Sequence, residues 1–248
     1  MLSKIDIENE IGKQINIIPF NNENIKEASL NVTASKYAWT YDHENSVTAV
    51  NNEEIILKPH KTTLVYTEEI IGIGSKIGGT VHSKVSMAVK GIGHIGTTFG
   101  PCYCGRLIIP LHNITNQDIS IKIGETFATL IFHYVQSKGI KINDTDSGHG
   151  NRLGEWNIHT DETDIINPGW SKDIKKIREQ LKIDNNYINF NNKKNRYIKL
   201  SQRVFITLIP ILIILFIQLV IKPQNFDIYH YLIMYFISIP NMMFYFIK

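Results

Sequence analysis

Thr97–Asn113 reads TTFGPCYCGRLIIPLHN, a turn rich in Gly, Pro and Cys that opens into an apolar run, Gly105–Leu111, ending at Asn113. A short apolar run bounded by turn residues and rich in β-branched side chains predicts a strand. The same pattern recurs on both sides. It predicts strands at Ser29–Ala34, Ser46–Ala49, Glu54–Leu57, Thr62–Thr67 and Gly79–His82 before the quoted stretch, and at Ile119–Ile121 and Thr126–Tyr134 after it. No helical period interrupts residues 25–135, so the expected class is mostly β, a jelly-roll-like or barrel domain.

The 248 residues include 20% charged side chains and carry a formal charge of +3, too little to argue for a nucleic-acid partner over the whole chain. Mean hydropathy is -0.09, an average that hides a strong segregation. Three parts are expected: a β domain over 1–160, an amphipathic and basic helical linker over 161–203, and a hydrophobic hairpin over 204–248. The N-terminal ten residues hold Asp6, Glu8 and Glu10 and no apolar core, so they do not read as a secretory signal.

Val204–Ile221 is an uncharged run, VFITLIPILIILFIQLVI, interrupted by Pro210. At 1.5 Å per residue it is about 27 Å long, close to the hydrocarbon thickness of a bilayer. Ile228–Ile247 is a second, more polar run with Tyr229, Tyr231 and Tyr245 near its ends. Lys222–Asp227 between them allows only a tight turn, so the expectation is a two-helix transmembrane hairpin. Lys193, Lys194, Arg196, Lys199 and Arg203 precede it, which by the positive-inside rule predicts a multi-pass cell-membrane protein with a cytoplasmic N-terminal domain. A solvated linker is the plainer reading of those cations. Gln218 and Asn241 are polar atoms that lipid cannot satisfy, and self-association of hairpins would.

Before the basic cluster, SKDIKKIREQLKI (Ser171–Ile183) places Ile174, Ile177 and Leu181 on one helical face. That helix would pack on the domain, on a second copy or on a membrane surface. The Asn-rich stretch Asn185–Asn195 is expected to be a polar connector.

The order of short motifs in the β region resembles the dUTPase and dCTP deaminase superfamily. EASLNVTAS (Glu27–Ser35) is similar to its first motif, and ILKPHKTTLVYTEE (Ile56–Glu69) to its Leu-x-Pro-Gly and Thr-x-Glu segment. SKVSMAVKG (Ser83–Gly91) is similar to its phosphate-binding motif, Thr97–Asn113 to its Ile-Asp-Pro-Gly-Tyr-x-Gly motif with the following strand, and KIGETFATLIF (Lys122–Phe132) to its Pro-Gly-x-x-Ile-Ala-Gln-Leu element. The resemblance implies a nucleotide ligand and a homo-oligomer, a trimer or higher, with pockets shared between subunits.

On that resemblance the catalytic positions are altered. The dUTPase carboxylate that activates water is matched by Gly100 and the deaminase Glu by Pro110, neither of which can move a proton. Lys84 matches the phosphate-binding Arg, keeping the charge without bidentate geometry. Ser86 is retained, Asn31 stands for an Asp, Thr129 for a Gln, and Tyr103 for the aromatic against the sugar. The resemblance thus implies ligand contacts at Lys84, Ser86, Thr97, Thr98, Gly100 and Tyr103 without a catalyst. The expected function is a nucleotide- or oligonucleotide-sensing pseudoenzyme and oligomeric pore-forming effector, as in anti-phage defence. The alternative is a membrane-anchored dCTP deaminase or dUTP diphosphatase using a displaced carboxylate, Glu69 or Glu125.

No resident cofactor is expected, Mg²⁺ arriving only with a nucleotide. Cys102 and Cys104, near His94 and His112, have the wrong spacing for a zinc deaminase and read as reduced thiols. His82 reads as a hydrogen-bonded strand histidine or a ligand contact. DSGHGNRLG (Asp146–Gly154) reads as an exposed loop, short of the glycine-rich arm of dUTPases.

Overall fold

The computed structural model describes residues 1–93, 96–140 and 150–220, with side chains at 150–152, 203 and 211–220 excluded. The chain divides into two compact units, Met1–Ile188 and Asn189–Lys248.

The first unit is mostly β, as its sequence pattern predicts. A nine-stranded antiparallel sheet follows the order β8–β10–β6–β2–β12–β7–β9, with β1 also on β6 and β3 on β2. These strands are β1 (Ile15–Ile18), β2 (Leu30–Thr40), β3 (Val47–Thr48), β6 (Thr62–Ile73), β7 (Ile77–Ser83), β8 (Ile92–Gly93), β9 (Thr97–Phe99), β10 (Cys104–Asn113) and β12 (Thr126–Tyr134). A smaller sheet joins β11 (Ile119–Lys122), β5 (Glu54–Leu57) and β4 (Val50–Asn51).

Alternation decides which side chains form the core. Leu107, Ile109 and Leu111 of β10 point inward with Val65, Ile71, Phe127 and Leu130, while Arg106, Ile108, Pro110 and His112 face the other way and are half-buried. At Gly79 an added Cβ would lie 2.5 Å from the Ile131 carbonyl and 2.2 Å from the Phe99 ring, so glycine is what lets β9 close against β7.

Helices dock at the N-terminal and C-terminal sides of this unit. α1 (Lys4–Glu10) starts at a capping box in which Ser3 and Asp6 satisfy each other's backbone and side-chain groups, and it buries Ile7. α2 (Val85–Val89) is a short helix in a region whose sequence shows no helical period; five residues are too few to reveal one. α3 (Thr163–Ile166) lies in the segment after residue 150, and its Ile166 joins Leu153 and Ile158 over Tyr37, Trp39, Leu64 and Tyr66. Asp146–His149 fall outside the described residues, but Gly150–Trp156 is a 3-10 helix. Leu153 is 3% exposed, so this end of the expected exposed loop is anchored by a buried side chain.

α4 (Ile174–Ile183) resolves the three packing choices left by its amphipathic pattern. Ile177 and Leu181 are fully buried on the domain, and Gly72 of β6 leaves the room that Ile177 fills, an added Cβ meeting it at 3.0 Å. In α5 (Asn185–Val220) the Asn-rich stretch Asn185–Asn195, expected to be a polar connector within the helical linker, is helical. The poor intrinsic helix propensity of Asn is offset there by docking of the first turn. Asp184 Oδ2 accepts from Phe20 N (3.1 Å), Asn186 donates to Phe20 O (3.1 Å), and the Tyr187 ring meets Phe20 edge-on at 5.8 Å.

In the second unit α5 carries Pro210 within its helix. Among the described residues no helix is long and apolar enough to cross a membrane. Val204 and Pro210 lie on α5, whose backbone is helical through Val220; the side chains of residues 211–220, Gln218 among them, Ile221 and all of Ile228–Ile247 with Asn241 lie outside what is described.

Candidate functional site

Three places in the first unit carry the residues expected to contact a ligand. The first is the end of β7. Lys84 caps α2, and its ammonium donates to the Thr126 hydroxyl at the start of β12. Burial holds Lys84 below the usual lysine range and nearby Lys26 adds to this, whereas the Glu125 carboxylate opposes it. Glu125 is itself 3.5 Å from the Lys90 ammonium. Ser86 is exposed on α2, two residues further on.

The second place is a polar row across four strands. Thr129 of β12 stands opposite both Asn31 of β2 and His82 of β7, and its hydroxyl donates to Asn31 Oδ1 at 2.9 Å. His82 Nε2 is 2.8 Å from the Thr80 hydroxyl, and Thr80 pairs with Thr98 of β9. His82 is therefore hydrogen-bonded on an exposed strand face. Thr97 and Thr98 are both exposed on the edge strand, with alternating directions.

The third place is the turn after β9. Gly100 is exposed, and a Cβ there would meet nothing within 4 Å. The turn is tied to the β6–β7 hairpin by Cys102 N to Gly74 O (3.3 Å) and Ile73 N to Tyr103 O (2.8 Å). Tyr103 departs from a free aromatic platform: its hydroxyl donates to Arg106 O at 2.6 Å, and burial pushes its ionisation well above the ordinary tyrosine range. Its ring lies 6.4 Å from that of Phe99.

Lys84 and the polar row share one end of β7 and β12. Gly100 is displaced from them, since Phe99 pairs with Gly79 and the six residue steps from Gly78 to Lys84 span about 20 Å of chain. Pro110 stands on β10, separated from β7 in the sheet by β6, β2 and β12. Within one chain these positions do not meet at a point.

Among the described residues β8 pairs only with His112 and Asn113 of β10, so no described strand takes a hydrogen bond from position 110, where proline has no N–H to give. Glu69 is 4% exposed and bonded to Thr33, while Glu125 is half-buried against Lys90. Cys102 and Cys104 form no disulfide, and their thiols donate to Gly139 O and Cys102 O, each at 3.8 Å. No group of three metal-ligating side chains occurs among the described residues; His94 lies outside them.

Sequence motifs gave no signal for Arg106. Its Nε donates to Ile166 O (2.9 Å), its Nη1 to Thr67 O (2.9 Å) and to Glu68 O, and it lies 5.9 Å from the centre of the Tyr37 ring. It fastens the segment containing α3 to the face of β10 that also bears Pro110. Tyr66, bonded to Asn167, helps hold the same segment, and burial pushes its ionisation up to about 12.

A family model described as dCTP deaminase-like matches residues 1–135. The chain belongs to the dCTP deaminase-like family. It is 25% identical to the dCTP deaminase of Pyrococcus horikoshii over 124 residues, 50% of this chain and 78% of that one. Identity to the dCTP deaminase of Thermococcus gammatolerans is 27% over 123 residues, 50% and 77% of the two chains.

Among solved structures, 2'-deoxycytidine 5'-triphosphate deaminase from Agrobacterium tumefaciens aligns with a TM-score of 0.46 at 13% identity, over 54% of this chain and 48% of that one, about half its length. A Staphylococcus bacteriophage 80alpha dUTPase aligns with a TM-score of 0.37 at 14% identity, over 53% and 97%. The dUTPase and dCTP deaminase-like domain read from the motifs is thus shown by family membership.

Proposed function

We propose that this protein is a nucleotide-sensing member of the dCTP deaminase-like family that binds without turning its ligand over and passes the signal to a membrane-anchored C-terminal hairpin. The observation that carries the reading is chemical: Gly100 and Pro110 have no ionisable group, while Lys84 keeps a cation for phosphate. Glu69 is a poor substitute catalyst, because its carboxylate is engaged by Thr33 inside the sheet.

The ligand is a nucleotide or short oligonucleotide, taken with Mg²⁺ if at all. The separation of Lys84, Gly100 and Pro110 within one chain favours a site completed by another copy, and hence a homo-oligomer. Oligomers would gather the hairpins formed by Val204–Ile221 and Ile228–Ile247 in the cell membrane, with the β domain cytoplasmic. Gln218 and Asn241 would then face a pore, an arrangement suited to an effector in antiviral defence.

Expression of the full chain, and of the chain lacking 204–248, in cells loaded with a potential-sensitive dye tests the membrane step. Depolarisation that needs 204–248 supports an effector. Unchanged potential with both chains, together with product formation from dCTP or dUTP, would favour the alternative, a membrane-anchored deaminase or diphosphatase.

A further inference from the structure

We propose that Glu125 is a resident counter-anion of the Lys84 corner and sets how tightly that corner takes a phosphate-bearing ligand. The inference rests on the nucleotide-binding reading above and names the residue that tunes it.

The geometry is local and specific. Between β11 and β12 the chain turns through Gly124, whose φ of +81° suits glycine. Glu125 N donates to Lys122 O (3.0 Å), and Lys122 N donates back to Glu125 Oε2 (3.2 Å). One carboxylate oxygen is thereby held by backbone, and the other is 3.5 Å from Lys90 Nζ. The next residue, Thr126, accepts from Lys84. Lys26 is close enough to Lys84 to disfavour its charge, and Glu125 favours it.

One carboxylate therefore holds the Lys90 ammonium and supports the charge of Lys84 on the corner where the family motif places phosphate contacts. A phosphate arriving at Lys84 meets attraction from the lysines and repulsion from Glu125 at short range. It must also take over Lys90, which Glu125 occupies in the structure. Two unit charges about 5 Å apart in a water-like dielectric interact by an energy equivalent to about a fourfold change in affinity. Glu125 thus selects for ligands with enough phosphate charge to win both lysines, which favours triphosphates over monophosphates.

The test uses the full chain in detergent micelles and titration calorimetry with dUTP, dUMP and inorganic tripolyphosphate. Glu125→Gln is expected to tighten dUTP and tripolyphosphate by about fourfold and to narrow the preference for dUTP over dUMP. Lys90→Met, which frees Glu125 to face Lys84, is expected to weaken both, and Lys84→Ala to weaken them most. Thermal unfolding of each variant checks that it folds; should Glu125→Gln not fold, the Lys90→Met result decides alone. If Glu125→Gln leaves affinity unchanged or weakens it while Lys84→Ala still weakens it, the counter-anion role is overturned and the binding reading stands. Binding of no probe by any variant overturns both.

Discussion

Thr33 grips both oxygens of the Glu69 carboxylate: each accepts from the Thr33 amide (3.1 and 3.0 Å), and one also accepts from the Thr33 hydroxyl (2.8 Å). The contact sits where two strands part. From Ala34 onward β2 pairs with β6, but before it β2 pairs with β12, and beyond Glu69 β6 pairs with β1. The carboxylate supplies the amide partner that the diverging ladder withdraws.

This buried clamp makes stability depend on pH. Burial pushes Glu69 from 4.5 up to about 7, although the Thr33 bonds pull the other way. The folded state therefore binds more protons than the unfolded state between these values. The contribution of Glu69 to stability is greatest below about pH 4.5, falls as pH rises towards about 7, and is flat above; the upper bound on the loss is about 3 kcal/mol. Glu69→Gln is expected to remove this dependence, seen as denaturant midpoints at pH 5 and pH 8 that differ less than in the parent chain.

The segment after residue 150 is held by few anchors. Ile166→Ala is expected to cost about 2–4 kcal/mol by leaving a cavity over Tyr66 and Trp39. Arg106→Ala strips donors from the carbonyls of Ile166, Thr67 and Glu68 and is expected to open residues 150–167 to protease before the β domain unfolds. Limited proteolysis with mass mapping measures this order.

Two glycines should behave oppositely. Gly79→Ala drives a Cβ to 2.5 Å from the Ile131 carbonyl, and because backbone has to move it is expected to destabilise by about 1–3 kcal/mol or prevent folding. Gly100→Asp enters open space without a positive φ and is expected to stay within about 0.5 kcal/mol of the parent chain. Denaturant titration of the two variants separates a glycine needed for packing from one that only lacks a functional group.

The legible parts of the fold were those with strong local pattern. Glu54–Leu57 and Thr126–Tyr134 match observed strands end to end, while β6 runs past the expected Thr67 to Ile73 because Glu68 and Glu69 break the apolar run but not the strand. β1 (Ile15–Ile18) lies before residue 25, outside the stretch over which the turn-bounded strand pattern recurs. The anchors Leu153, Ile158 and Ile166 have no regular spacing, so nothing in sequence marked their segment as part of the core. For the site, residue type shows that Gly100 and Pro110 carry no ionisable group, which is what the proposed loss of catalysis rests on. The Lys90–Glu125 pair and the Tyr103 hydroxyl bond depend on how separate strands meet, which spacing along one chain does not encode.

The most direct measurement of the central claim is to incubate the full chain in detergent with dCTP and with dUTP, following deaminated or hydrolysed product and bound nucleotide in the same sample. Saturable binding without product, weakened at least tenfold by Lys84→Ala, is the result predicted. Steady formation of dUTP from dCTP, or of dUMP from dUTP, at a rate that Lys84→Ala lowers would contradict it and return the chain to its family's chemistry.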